Sequence, residues 1–233
     1  MSVTVFITSE FSPTPAIEAE WLAQLPLRRR SEIAGWSDQR ARWQSLLGSR
    51  LLSAGLTRLG FEAEGLDSLS YGPRSRPTLD LPVEFSLSHC EGRVVCALST
   101  CGPVGIDVEA LGDLTAEDFR IYLSPAERSW AARSARRFYS VWTRKEAVAK
   151  AAGHRGLRDV ARVDTGAAEQ RAALDGCLWR TWPIPAGRRH MAHLAMADQP
   201  CKVTVRRLAR DEIEHGLRPA ARVRPVAPYQ AVL

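Results

Sequence analysis

Two acid-bearing segments about forty residues apart constrain this chain more than any other feature. The first, Gly105-Ile106-Asp107-Val108-Glu109, follows the turn-like Cys101-Gly102-Pro103 and alternates apolar with acidic residues. Alternation is the strand period, so Ile106 and Val108 belong on one face and Asp107 and Glu109 on the other. Two carboxylates on one strand face repel each other unless a cation joins them, and a hard, oxygen-preferring ion such as Mg2+ suits them. A solvated acidic face satisfies the same five residues. The second segment, Trp142-Thr143-Arg144-Lys145-Glu146-Ala147-Val148-Ala149-Lys150, lies within a helix expected over 137–152. There Phe138, Val141, Trp142, Val148 and Ala151 form a broad apolar stripe. Glu146 and Lys150 are four residues apart and share a face, which by itself describes an ordinary helical ion pair worth about 0.2–0.5 kcal/mol. Gly153 supplies a C-cap, and Gly156 extends the turn.

The rest of the chain is basic, with a net charge of +6 over 233 residues. That balance fits an anionic ligand and an acidic protein partner. It would also fit nucleic acid, but no helix-turn-helix, zinc-finger spacing or interleaved aromatic–basic motif stands out, so nucleic acid is not the expected partner. With 45% hydrophobic and 25% charged residues, the composition is that of a globular protein with one substantial core or two smaller ones. No window approaches eighteen unbroken apolar residues, so no membrane span is expected. Met1 to Ile7 reads as a first strand and not as a signal peptide. Cys90, Cys96, Cys101, Cys177 and Cys201 are odd in number and lack a C-x-x-C pair, which suggests reduced thiols, a cytoplasmic setting and no zinc site. His190 and His193, three apart in a strand-like run, fall on opposite faces and argue against a paired metal site. Ser124 and Glu127 have capping-box spacing.

The expected order is an N-terminal strand, helices over about 17–60, and strands near 84–89, 93–99 and 104–109. Helices between about 114 and 152 follow, then strands near 176–182, 190–197 and 201–207. Helix followed by three strands thus occurs twice. Residues 208–233, rich in arginine and proline, read as a flexible basic tail.

Taken in order, these segments resemble the 4'-phosphopantetheinyl transferases in their larger, two-subdomain (surfactin-synthetase-activating) form. Gly105–Glu109 matches the family's Gly-Ile-Asp-aliphatic-Glu strand, and Trp142–Lys150 matches its Trp-x-x-Lys-Glu-Ala-x-x-Lys helix, with Gly153 and Gly156-Leu157 as the turn beyond. Phe85-Ser86-Leu87-Ser88-His89-Cys90, Ser124-Pro125-Ala126-Glu127 and Ser45-Leu46-Leu47-Gly48 resemble its lesser motifs. The resemblance runs from about residue 25 to 205 and implies an α+β (α/β mixed) fold. Two similar subdomains would stand in pseudo-two-fold arrangement, each with helices on a small, mainly antiparallel sheet. The halves would be residues 1–103 and 104–208, with a tail over 209–233 and coenzyme A in the cleft between them.

The activity implied is Mg2+-dependent transfer of the 4'-phosphopantetheine arm of coenzyme A to a serine of an acyl or peptidyl carrier protein, releasing 3',5'-ADP. By the same resemblance Asp107, Glu109 and Glu146 would hold Mg2+, and Lys150 would contact phosphate. Glu146 would accept the serine proton directly or through water. Glu127 is a further acid, as a ligand through water or as another acceptor. Ser88 and His89 would meet the phosphates of coenzyme A. One of Arg28, Arg29 and Arg30, with Ser45, would meet its 3'-phosphate, although Gln44 stands where the family usually has arginine. Arg76 would replace a lysine of the family's turn before the second strand group. A monomer is expected, since the larger form completes its site within one chain. The alternative is a non-catalytic binder of coenzyme A or nucleotide phosphates.

Overall fold

The structure is a computed structural model that describes residues 2–61, 66–70, 77–154, 156–166 and 170–214. Arg76 and most of the tail lie outside the described residues. The strands expected at 84–89, 93–99 and 104–109 are β2 (Glu84–Cys90), β3 (Arg93–Ser99) and β4 (Val104–Ala110), and the first strand is β1 (Ser2–Ser9). The helical region between β1 and β2 holds α1 (Pro15–Ala23), α2 (Leu27–Ala34) and α3 (Gln39–Arg58). After β4 come α4 (Pro125–Ala131), α5 (Ala135–Ala151) and α6 (Leu157–Arg162). The chain continues with β5 (Arg171–Leu174), β6 (Cys177–Pro183), β7 (His190–Ala197), β8 (Lys202–Arg207) and α7 (Arg210–Glu214).

Helix starts follow their caps. Asp38 accepts from the Arg40 and Ala41 amides to open α3, and Ser134 accepts from the Arg137 amide to open α5. Ser124 and Glu127 form the reciprocal capping box of α4. Each satisfies amides that the first helical turn leaves without intrahelical partners. Gly153, at φ +79, turns the chain out of α5 in a conformation that an L side chain resists.

Two four-stranded sheets result. One has the order β2-β3-β1-β8 and the other β4-β7-β6-β5; every pairing is antiparallel except β1 with β8. The α+β architecture of two helix-backed sheets is therefore as expected. The strand assignment at the boundary differs, because β8 leaves the second half and completes the first half's sheet beside β1. The expected tail also begins with structure: α7 packs on α3 through Ile213, 2% exposed. Local sequence cannot show either feature, since both depend on which distant edge a strand or helix finds.

Strand alternation builds three cores. Phe6, Val94, Cys96 and Leu98 face α3, where Leu47, Leu51 and Leu56 are buried. The opposite faces, Val3, Val5, Ile7, Val95 and Ala97, pack with Ile106, Val108, Leu194 and Met196 into a core between the two sheets. The far face of β4 and β7 receives α5, whose Phe138 and Trp142 join Phe119 in an aromatic cluster, with Phe119 and Trp142 centroids 4.5 Å apart. Full burial of such a side chain contributes about 1.5–3 kcal/mol.

Candidate active-site cleft between the halves

The site begins with Gly105. A Cβ at that position would lie 1.9 Å from the Ala147 carbonyl oxygen and 2.5 Å from the Ala151 amide nitrogen. Only glycine lets α5 lie this close to β4. Asp107, two residues on, shares that face. On α5, Glu146 and Lys150 are the residues between Val141 and Ala151 that are not buried. The i,i+4 face of the helix and the acidic face of the strand are thereby brought to one cleft.

Asp107 is 3% exposed. Its Oδ1 accepts from Lys150 Nζ at 2.6 Å and from Ser88 Oγ at 2.8 Å, and Lys150 also donates to Ser88 Oγ at 3.1 Å. Ser88 belongs to β2 of the first sheet, so this triad ties the two halves together. Among the described residues Asp107 Oδ2 has no hydrogen-bond partner. Burial, together with the charges of Asp107 and Glu146, pushes the Glu109 carboxyl up to about 7 despite Lys150 and a hydrogen bond from Trp142. Burial and Asp107 likewise raise Glu146. Burial works against the Lys150 ammonium, but the charge and hydrogen bond of Asp107 outweigh it and raise its pKa. Solvent still reaches Lys150, 30% exposed, through the cleft, so that pair is partly screened. Burial and the Lys150 charge lower the His89 pKa, against the opposing carboxylates Glu10 and Asp107.

The cleft has two adjoining parts of about 380 and 410 Å³. Asp107, Glu109, Ser88, His89 and Ser45 line the first; Phe85, Pro77, Val160 and His154 line the second; Arg29, Leu87, Glu146 and Lys150 line both. The three arginines of α2 separate clearly. Arg29 enters the cleft, donates to Ser45 Oγ at 2.6 Å and pairs with Glu32 at 2.8 Å. Arg30 turns back to the Ala23 and Leu25 carbonyls, and Arg28 lines neither part. Gln44 lines the first part and donates to the Cys90 carbonyl at 3.1 Å. Trp36 lies beneath Arg29 at 5.2 Å and also lines the cleft. Nothing in its local sequence signals this, because it sits in the link between α2 and α3.

Glu127 does not join the cluster. It is 0% exposed and accepts from Lys145 Nζ, from the Thr165 amide and hydroxyl, and from the Ser124 amide. Burial raises its pKa, but the Lys145 charge and the two amides outweigh that and hold it below the usual carboxylate range. The capping-box role read from its spacing is what the structure displays. The roles of water-linked ligand and proton acceptor find no support in this position.

Three carboxylates on one cleft, one with a free buried oxygen, offer the oxygen donors that Mg2+ prefers. As placed, no group of three His, Cys, Asp or Glu side chains among the described residues is arranged to hold a metal ion. The Asp107 charge raises both Glu109 and Glu146, and Lys150 pairs with Asp107 through Oδ1. The donor chemistry fits a divalent cation, because Lys150 takes Asp107 Oδ1 and leaves Oδ2 without a partner among the described residues.

Residues 103–182 match the 4'-phosphopantetheinyl transferase superfamily. The 4'-phosphopantetheinyl transferase gsp of Aneurinibacillus migulanus is 32% identical over 83 residues, 34% of this chain and 35% of that protein. The matched stretch thus spans about a third of that relative's length. The family segment carries Asp107, Glu109, Glu146 and Lys150, while Arg29, Ser45, Ser88 and His89 lie outside it. No helix among the described residues is long and apolar enough to cross a membrane.

Proposed function

We infer, from a chain whose residues 103–182 match the 4'-phosphopantetheinyl transferase superfamily, that it transfers the phosphopantetheine arm of coenzyme A to a carrier-protein serine. The observation that carries this reading is the meeting of Asp107, Glu109, Glu146 and Lys150 in one cleft with Ser88, His89, Arg29 and Ser45. A pyrophosphate diester needs cationic partners, and a cleft with Lys150 and Arg29 on its shared wall supplies them.

The serine Oγ attacks the phosphorus that bears the pantetheine arm. The bond from that phosphorus to the bridging oxygen breaks, and 3',5'-ADP leaves. Glu146, on the shared wall of the cleft, takes the serine proton directly or through water. Lys150 exchanges Asp107 for phosphate oxygen, and Ser88 and His89 flank the pyrophosphate. Arg29 and Ser45 hold the 3'-phosphate with the guanidinium's fixed fork. Asp107, Glu109 and Glu146 would hold Mg2+, which would supply charge neutralisation at the transferring phosphoryl group.

The test is the intact mass of several apo carrier proteins after incubation with this chain, coenzyme A and Mg2+, with a metal-free control. A gain of one phosphopantetheine arm, absent without metal, is the expected result. Coenzyme A binding with no gain on any carrier would favour a binding module instead.

A further inference from the structure

The described chain passes between the two sheets twice. Residues 100–103 carry it from β3 to β4, and residues 198–201 return it from β7 to β8. Cys101 lies on the first passage and Cys201 on the second, and a disulfide joins them across a sequence separation of 100 residues. This corrects the expectation of five reduced thiols; Cys90, Cys96 and Cys177 remain free. The Gln199 side-chain amide, also on the second passage, donates to the Cys101 carbonyl. Both crossings are thus fastened to each other at one place.

We propose that Cys101–Cys201 is a thiol-controlled staple on the hinge between the two sheets. Its position gives it two effects. It lies six residues before Asp107, at the start of the segment that presents the acidic face of β4. It also anchors the entry of β8, an edge strand that pairs only with β1 among the described residues. The halves do not depend on it alone: the inter-sheet core and the Ile106 amide donating to Ser86 Oγ at 3.1 Å remain when it opens. The reduced chain therefore stays folded, with β8 loosened and the hinge freer. Cys101 is 9% exposed and Cys201 is half-buried, so exchange takes place from the Cys201 side. The reaction is thiol–disulfide exchange with a low-molecular-weight partner. On closing, the two thiols lose two electrons and two protons to a low-molecular-weight disulfide such as glutathione disulfide, which leaves as two glutathione thiols. Dithiothreitol runs the exchange backwards and is itself oxidised to its cyclic disulfide.

The staple is independent of the transferase reading and is tested without coenzyme A. The full chain, equilibrated with glutathione disulfide, is unfolded and alkylated with iodoacetamide, then weighed intact. Three alkylated thiols are expected before reduction and five after it, with a peptide map linking Cys101 to Cys201. Melting of the wild type should fall by roughly 5–15 °C in dithiothreitol. Cys201→Ser should melt at the reduced value in either buffer, and Cys177→Ser should behave as wild type. Hydrogen exchange supplies the hinge readout: the β8 amides should exchange at least about tenfold faster on reduction, and the β2–β3 hairpin should change less. Five alkylated thiols before reduction, an unchanged melting temperature, or equal acceleration in both regions would each overturn the proposal.

Discussion

Helix α5 holds two lysines five residues apart, each paired with a carboxylate, and the two pairs behave in opposite ways. Lys145 and Glu127, 2.9 Å apart, are 1% and 0% exposed. Both Glu127 oxygens are satisfied, and Lys145 also donates to the Val163 carbonyl. Lys150 and Asp107, 2.6 Å apart, border the cleft, and one Asp107 oxygen has no partner among the described residues. A fold gains nothing by leaving a buried acceptor unpaired, which costs about 1–3 kcal/mol. The sealed pair fastens α5 to α4 and to the segment before β5, whereas the other pair faces the cleft with one carboxylate oxygen unpartnered among the described residues. Saturation, more than charge, separates the sealed ion pair from the one that borders the cleft.

The largest effect should come from breaking the sealed pair. Lys145→Met strands Glu127 and should cost about 3–5 kcal/mol of stability by urea unfolding. Adding Glu127→Leu should recover more than half of that loss, and failure to do so would mean the pair is not a self-contained unit. Asp107→Ala should act the other way, lowering carrier modification by about 10²–10³-fold, the scale of one lost charge-stabilising group, while its melting temperature stays within a few degrees of wild type. Transfer surviving within tenfold would erase the distinction between the pairs. Gly105→Ala should cost about 1–3 kcal/mol because α5 must move off β4. It should also slow transfer, since Glu146 and Lys150 move with the helix.

The smallest effect lies on the sealed face. His193 Nδ1 bonds Thr143 Oγ1 at 2.8 Å, and burial, with the Arg144 charge, depresses its pKa to about 3. A histidine kept neutral by the fold contributes stability that is fully present above its unfolded pKa, near 6.5, and is lost as pH falls towards 3. The slope reaches about 1.4 kcal/mol per pH unit. Unfolding measured from pH 7 to 5 should show the wild type losing its margin over His193→Gln across that window. A constant margin would refute the assignment.

Much of this was legible in the sequence because it depends on local rules. Period-two alternation placed Asp107 opposite Ile106, and strand limits agreed within one or two residues for β2, β3, β4, β6, β7 and β8. The i,i+4 face singled out Glu146 and Lys150. Arg171–Leu174 was missed as a strand, since four residues with two alanines carry no readable period. Glu127 belonged to a motif whose acidic residue looks the same whether sealed or free, and only its contacts with Lys145 and Thr165 separate the two. Arg29 could not be chosen from three adjacent arginines until α2 was set against Ser45.

By itself, then, the sequence determined which residues alternate, which helices are capped, and which acids share a face, because each follows from backbone geometry over a few residues. The tertiary structure decided that β8 crosses to β1, that Cys101 meets Cys201, and that one carboxylate is satisfied while another is left open. Those outcomes depend on contacts between residues far apart in the chain, where packing and partner supply, not local propensity, set the free energy.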